Sequence, residues 1–204
     1  MVGSIKFLRI RMSSFWFYFT EGWKHIISQD ALDHQLFIIA LAVIYTFRDW
    51  KRVLILVTAF TIGHSLTLAL SVFNVIRVAS SWVEFLIPVT IVLTALWNVL
   101  RQHKPRQINA NYFLALFFGL IHGLGFANTI RMMLASDESV GTGLLGFNLG
   151  LEAGQVIVVL VVLLLTKLVT GGLKIPQRIY IFAVSALVFI LSLKMALERV
   201  PSLS

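Results

Sequence analysis

The sequence lacks cysteine and has few charged residues. The absence of cysteine in 204 residues excludes disulfide bonds, thiolate metal ligands and a cysteine nucleophile. Charged residues make up 13% of the chain, about half their usual share in soluble domains. Hydrophobic residues make up 58%, and the mean hydropathy is +0.90. This composition argues against an ordinary soluble domain and predicts a protein of the lipid bilayer.

The few charges that are present are mostly basic. There are 17 Lys and Arg against 9 Asp and Glu, which gives a net charge of +8. In a soluble protein this excess would suggest a nucleic-acid partner. In a chain this apolar it is typical of loops on the cytoplasmic side of a membrane. We therefore expect no nucleic-acid partner.

Six apolar segments are long enough to approach or exceed the length of a membrane span, which needs about 20 residues. They are residues 32–47, 53–76, 82–100, 112–134, 144–169 and 175–197. The sequence thus predicts an all-α, polytopic membrane helix bundle of about six transmembrane helices over residues 31–200. Residues 1–30 are predicted to form a basic segment and an interfacial helix, with Trp16, Phe17, Phe19 and Trp23 at the headgroups.

The basic residues set the expected orientation. Nine of them fall in three alternate loops: Arg48, Lys51, Arg52, Arg101, Lys104, Arg106, Lys167, Lys174 and Arg178. The two opposite loops hold only Arg77 and Arg131. By the positive-inside rule the three basic loops are cytoplasmic. Both termini are then expected outside a bacterial-type cytoplasmic (inner) membrane.

Ionisable residues inside predicted spans are costly and therefore mark candidate functional sites. At 1.5 Å per residue, His64, His122 and Glu152 lie about 18, 15 and 12 Å from the ends of their spans. Asp33 and His34 begin the first span, and His25 precedes it. We expect these six residues to converge on one cavity open to the outside.

Neighbouring residues are predicted to line or shape this cavity. Asn148 and Gln155 share a helical face with Glu152, while the opposite face carries a small-residue ridge. Thr61 and Ser65 flank His64 as further cavity-lining candidates. The residues predicted to allow close helix packing are Gly146, Gly150, Gly154, Gly119 and Gly123.

Imidazoles and carboxylates without thiolates form a ligand set that suits borderline divalent metals such as Zn, Ni, Cu or Fe. His34, His64 and His122 would complete such a site with Asp33 or Glu152, and the other carboxylate would orient an imidazole. The simpler alternative is that each histidine makes a hydrogen bond between helices. Three on separate spans, with acids beside them, favour the metal.

Five segments of the chain carry a family resemblance. They are residues 22–26 (GWKHI), 32–37 (LDHQLF), 58–68 (TAFTIGHSLTL), 118–126 (FGLIHGLGF) and 146–155 (GFNLGLEAGQ). In these segments the chain resembles the HupE/UreJ family of hydrogenase and urease accessory membrane proteins, particularly its second subfamily. The resemblance implies uptake of nickel or another divalent metal, with the His/Asp motif of His25, Asp33 and His34 as presumed ligands.

Three functions are compatible with these residues. The first, which the resemblance favours, is an uptake permease for a divalent metal ion, Ni or Zn, in which Glu152 exchanges a proton for the metal. The second is an intramembrane metal-dependent hydrolase acting on a lipid or lipid-linked substrate from the outer side, with Glu152 as general base. The third is a structural membrane subunit whose histidines only bridge helices. Each is compatible with a homo-oligomer.

Overall fold

The computed structural model of the chain describes residues 2–100, 108–134 and 140–201, and all regular structure in these ranges is helical. The predicted all-α class is confirmed. Arg101, Lys104 and Arg106, predicted to form a cytoplasmic loop, lie outside the described residues. The seven α-helices are α1 (Val2–Ile27), α2 (Leu32–Ala42), α3 (Trp50–Val72), α4 (Ser80–Leu100), α5 (Ile108–Leu134), α6 (Val140–Lys167) and α7 (Gln177–Glu198).

Within the described residues, five helices are long and apolar enough to cross a membrane, and they correspond to five of the six predicted spans. Their apolar stretches are Phe47–Val72, Ser80–Leu100, Asn111–Leu134, Val140–Gly172 and Gln177–Glu198. The first predicted span, 32–47, differs from the structure. Its helix α2 has 11 residues, which is about 16 Å and half the hydrocarbon thickness. It stops because the chain turns into a capping box, in which Thr46 and Asp49 bond each other just before α3.

Helices α3 and α5 pack closely and run parallel. A Cβ atom on Gly119 would collide with Phe60 O, and one on Gly123 would collide with His64 O. The contact points advance in the same direction along both helices, which shows that the helices are parallel. Gly63 completes the seam, because its Cα lies against the backbone of Leu116. The glycines therefore let two backbones meet where larger residues would hold them apart.

Helices α1 and α6 form a second pair of the same kind. Gly146 faces the Phe15 carbonyl, Gly150 faces the Phe19 carbonyl, and Gly154 faces Ile26. From the other side, Gly22 fits against the backbone of Phe147. The contact covers about three turns and also runs in one direction along both helices. The N-terminal helix, predicted to be interfacial, therefore lies alongside a long spanning helix for this part of its length.

The helical chain is interrupted between α1 and α2. A single 3₁₀ turn, Gln29–Ala31, separates the two helices. The last carbonyls of a helix have no partner within it, and here Gln35 supplies one. Its Nε2 donates to Ile26 O at 3.0 Å and to Ser28 O at 2.9 Å. Beyond the break, α2 packs among α4, α6 and α7, and Asn98 Nδ2 donates to Ala40 O at 2.6 Å.

Two of the basic segments meet at one end of the bundle. Lys167 Nζ lies 5.8 Å from the centre of the Phe47 ring, and Gln177 Nε2 donates to Ile44 O at 3.4 Å. At the opposite end, Arg131 Nη2 donates to Ser71 O at 2.7 Å. The α2–α3 and α6–α7 connections therefore share a face of the molecule, as the distribution of Lys and Arg predicts.

Candidate metal centre

Four of the five histidines converge at one place in the bundle. His25 comes from the end of α1, His34 from the first turn of α2, His64 from α3 and His122 from α5. His34 is central: its ring centroid lies 4.7 Å from that of His25, 5.1 Å from that of His122 and 6.0 Å from that of His64. Three of the rings are buried, with exposed fractions of 4% for His34 and 0% for His64 and His122.

Three of these histidines could share one metal ion. One ring nitrogen from each of His25, His34 and His64 can be chosen so that all three lie within 4.8 Å of one another. A tetrahedral ion with metal–nitrogen bonds of about 2.1 Å needs nitrogens about 3.4 Å apart. The spacing is therefore at most about 1.4 Å wider than such an ion requires. We refer to His25, His34 and His64 as the histidine trio.

The histidine nitrogens have almost no partners. Within the described residues, five buried nitrogens make no hydrogen bond of standard geometry, namely His25 Nε2, His34 Nε2, His64 Nδ1, His64 Nε2 and His122 Nδ1, although Asn148 lies close enough to His64 to interact with it. Buried polar atoms without partners are rare in folded proteins, and each costs about 1–3 kcal/mol. Five in one cluster make it a candidate site for a group that binds nitrogen. Histidines that merely bridge helices would instead be paired.

Asp33 sets the orientation of His34. Its Oδ1 lies 2.9 Å from His34 Nδ1 and also accepts a hydrogen bond from the His34 backbone N–H at 2.8 Å. A carboxylate can only accept, so His34 Nδ1 carries a proton, and in the neutral imidazole Nε2 then presents its lone pair to the cluster. This is the arrangement in which a carboxylate orients a metal-binding imidazole from behind. Asp33 is therefore placed to support His34 rather than to join the trio.

Thr90 on α4 does the same for His122. The single hydroxyl hydrogen of Thr90 is donated to Ile87 O at 2.7 Å. Towards His122 Nε2, 3.1 Å away, the hydroxyl can therefore only accept. His122 then carries its proton on Nε2 and keeps the lone pair on Nδ1. Thr90 was not predicted as a site residue, because nothing in the sequence shows that α4 faces His122.

The predicted polar face of α6 meets α3 at separate points. Asn148 lies beside His64, with its amide nitrogen donating to Leu144 O at 2.9 Å. Its buried Oδ1 has no hydrogen-bond partner in the described part of the chain. Gln155 instead accepts a buried hydrogen bond from Thr61 at 2.8 Å. Ser65 is half-buried next to His64 in the chain.

Glu152, predicted as a ligand, is not brought into the histidine trio. Its Oε1 accepts a hydrogen bond of 2.7 Å from Thr58 Oγ1 on an exposed side of α3. Thr58 lies six residues before His64 on α3, about 9 Å along the helix axis. The bond to Thr58 therefore holds the Glu152 carboxylate away from His64.

A second charged group reaches Asp33 from the far end of the chain. Arg199, just after α7, places Nη1 3.6 Å from Asp33 Oδ2. The Asp33 side chain is 14% exposed and that of Arg199 is 36% exposed. Arg199 was not predicted as a site residue. Basic residues are common at the ends of membrane spans, and the sequence does not indicate which acidic residue such a side chain contacts.

Comparison with known proteins supports the resemblance. A family model described as HupE / UreJ protein matches residues 4–199, nearly the whole chain. Comparison with curated proteins and with solved structures gives no match. The matched region extends from α1 to the end of α7 and includes every residue of the histidine cluster and its partners. The chain thus belongs to the HupE/UreJ family of membrane proteins.

Proposed function

We propose that the protein is an uptake permease for a divalent d-block cation of the nickel type, which it binds through the histidine trio. The observation that carries the proposal is the group of five buried histidine nitrogens that make no hydrogen bond of standard geometry among the described residues. The family is associated with nickel or cobalt transport or with an accessory function, which agrees with such a site.

The ligand chemistry favours a cation of intermediate softness. The trio offers neutral imidazole nitrogens, and the chain has no thiolate to offer. Imidazole suits nickel, cobalt, zinc and copper, whereas calcium and magnesium prefer oxygen ligands. The metal is cargo in this proposal.

The position of the carboxylates favours transport over hydrolysis. A metallohydrolase needs a general base near the metal-bound water. Asp33 is occupied by His34 and Arg199, while Glu152 is bonded to Thr58 outside the trio. Neither is placed as a free base. Transport needs only ligands that replace the hydration shell of the ion, and the trio supplies these.

The cation would reach the trio from the outer side of a bacterial-type cytoplasmic membrane. If the basic connections face the cytoplasm, the C-terminal end of α7 faces outward. Arg199, at that end, contacts Asp33 beside His34. The trio therefore lies towards the outer half of the bundle in this orientation.

Cation binding by the purified protein tests the proposal. In detergent, Ni²⁺ and Zn²⁺ titrations should give a binding constant that falls by about 100-fold or more in His64→Ala and His34→Ala, because loss of even an indirect ligand partner costs 10–100-fold. His103→Ala is the matched control, since His103 belongs to the basic segment between the third and fourth predicted spans, outside the described residues. Proteoliposomes should take up radioactive Ni²⁺ with the same ranking. A wild-type protein that binds no ion, or an unchanged His64→Ala variant, would contradict the proposal.

A further inference from the structure

His122 contacts the His34 ring but, among the described residues, makes no ring contact with His25. The His122 ring contacts Phe37 and Phe60, at centroid distances of 5.3 and 5.1 Å. Phe37 is one turn beyond His34 along α2, and Phe60 is one turn before His64 along α3. Both phenylalanines are therefore displaced from the histidines towards the end of the bundle where Phe47 and Lys167 meet. His122 is therefore deeper than the trio, on the side of the basic connections.

His25 has different neighbours. Its ring lies 4.1 Å from that of Phe126 and 5.7 Å from that of Phe147, both on the other side of the cluster. Among the described residues His25 and His122 make no ring contact with each other, yet each contacts His34 at similar range, 4.7 and 5.1 Å. Among the described residues, His34 is thus the histidine whose ring contacts the rings of all three others.

From this arrangement we propose that His34 and His122 form a second, deeper binding station for the same divalent cation, distinct from the trio. The proposal rests on the proposed function. The lone pair of His34 Nε2 and that of His122 Nδ1 are both unpartnered in the described structure. Their protons are held elsewhere, by Asp33 and by Thr90 respectively. A cation released by His25 and His64 can stay bound to His34 while His122 becomes its next ligand.

An aromatic layer closes the path below this station. Phe37 contacts Phe60 at 4.9 Å and Phe118 at 5.9 Å, and all three rings are buried. An apolar constriction of this kind blocks a hydrated ion until it opens. The deeper station would hold the cation against this layer, after the trio has selected it. Stepwise binding at neighbouring sites is how pores combine selection with release.

The two-station arrangement predicts that binding and transport can be separated. In His122→Gln, the equilibrium affinity for Ni²⁺ should stay within about threefold of wild type, because the trio is intact, while uptake into proteoliposomes should fall by about tenfold or more. In Thr90→Val, which keeps the side-chain shape but removes the acceptor, uptake should also fall. Thr90→Ser, which keeps the hydroxyl, should restore it.

The variants distinguish the alternatives. Retained binding by His122→Gln also shows that the variant is folded, and Thr90→Val supplies an independent test if it is not. If His122→Gln loses affinity as severely as His64→Ala, all four histidines form one site and the second station is wrong. If His122→Gln and Thr90→Val transport at the wild-type rate, the station is also wrong. Failure of the wild-type protein to bind Ni²⁺ would instead overturn the proposed function, and this inference with it.

Discussion

The α3–α5 and α1–α6 pairs both pack closely through glycines, but only in α3–α5 do both helices continue unbroken through the histidine cluster. In α3–α5 both helices are uninterrupted through the site, and each histidine stands next to a packing glycine: Gly63 precedes His64, and Gly123 follows His122. In α1–α6 the seam is equally close, but α1 ends at Ile27 and the chain restarts as α2. The α3–α5 pair thus carries two histidines on continuous helices. The other two histidines of the cluster lie on the two sides of the break between α1 and α2.

The break is what brings His25 and His34 together. On a continuous helix, residues nine apart are separated by about 13.5 Å along the axis. Here the two ring centroids are 4.7 Å apart. Interrupted helices are a recurring way to place ligands in the middle of transport proteins, because the freed backbone and side chains can face a cavity. The uninterrupted pair supplies a fixed frame, and the interrupted helix supplies two ligands to it.

The largest effect is expected from breaking the uninterrupted pair. In Gly119→Ala the new Cβ would collide with Phe60 O and approach His64 N to 3.1 Å. Neither backbone atom can move without separating the helices, so we expect a loss of about 1–3 kcal/mol of stability, as for other overpacked interiors. Thermal unfolding in detergent measures this loss. Gly141→Ala is the control, because a Cβ there meets nothing within 4 Å. Equal melting temperatures for the two variants would contradict this, because the α3–α5 packing would then accommodate the added methyl group.

A smaller effect on stability, but a specific one on the site, is expected from the break itself. In Gln35→Leu the carbonyls of Ile26 and Ser28 lose the donor that satisfies them. Unpaired acceptors cost about 1–3 kcal/mol when fully buried. These two bonds are only partly buried, so the loss should lie at or below the low end of that range, while the placement of His25 relative to His34 loosens. We expect the affinity for Ni²⁺ to fall by about tenfold, as for other outer partners of metal ligands. Isothermal titration checks the affinity. Asn98→Leu, which removes a different bond to the α2 backbone, is the comparison. If it lowers the affinity equally, the break has no special role.

The same contrast explains how far the sequence could predict the fold. The sequence segments that form α3 to α7 are long and apolar, so hydropathy alone predicted them as helices, and the structure confirms this. The interruption at Ser28–Ala31 contains no proline or glycine, the residues that would predict a helix end there. Its position depends on Gln35, whose target carbonyls are seven and nine residues away and become clear only once the chain has folded.

The site was predictable to a similar degree. Histidines in apolar runs stand out because burying them is costly, and this pointed to His64 and His122. His34, at the start of the first predicted span, and His25, before it, were expected to reach the same place. Their partners could not be predicted in the same way. Glu152 was expected beside the histidines but bonds Thr58, while Thr90 and Arg199 went unnoticed. Which turn of one helix meets which turn of another is decided by packing, and a helical face extends over many turns.

The smallest effect is expected from the contact that ties the break to α7. Arg199 Nη1 lies 3.6 Å from Asp33 Oδ2, beyond hydrogen-bond length, and the Arg199 side chain is partly exposed. Exposed ion pairs contribute about 0–1 kcal/mol, and Asp33 keeps both of its bonds from His34 without it. In Arg199→Gln we therefore expect an unchanged melting temperature. Removing a positive charge that neutralises Asp33 should raise the affinity for Ni²⁺ slightly, by up to about threefold, within the range of such weak pairs.

Asp33→Asn provides the reference against which the change in Ni²⁺ affinity of Arg199→Gln is judged. It should lower the affinity by about 10–100-fold, because the carboxylate that orients His34 is lost. Arg199→Lys, which keeps the charge, should bind Ni²⁺ as the wild type does. Titrations at low and high salt would separate the two effects, since the contribution of an exposed charge is screened and that of a buried orienting bond is not. A fall in affinity of tenfold or more in Arg199→Gln would mean that α7 holds Asp33 against His34. The interrupted helix would then depend on α7 as well as on Gln35 for its ligand geometry.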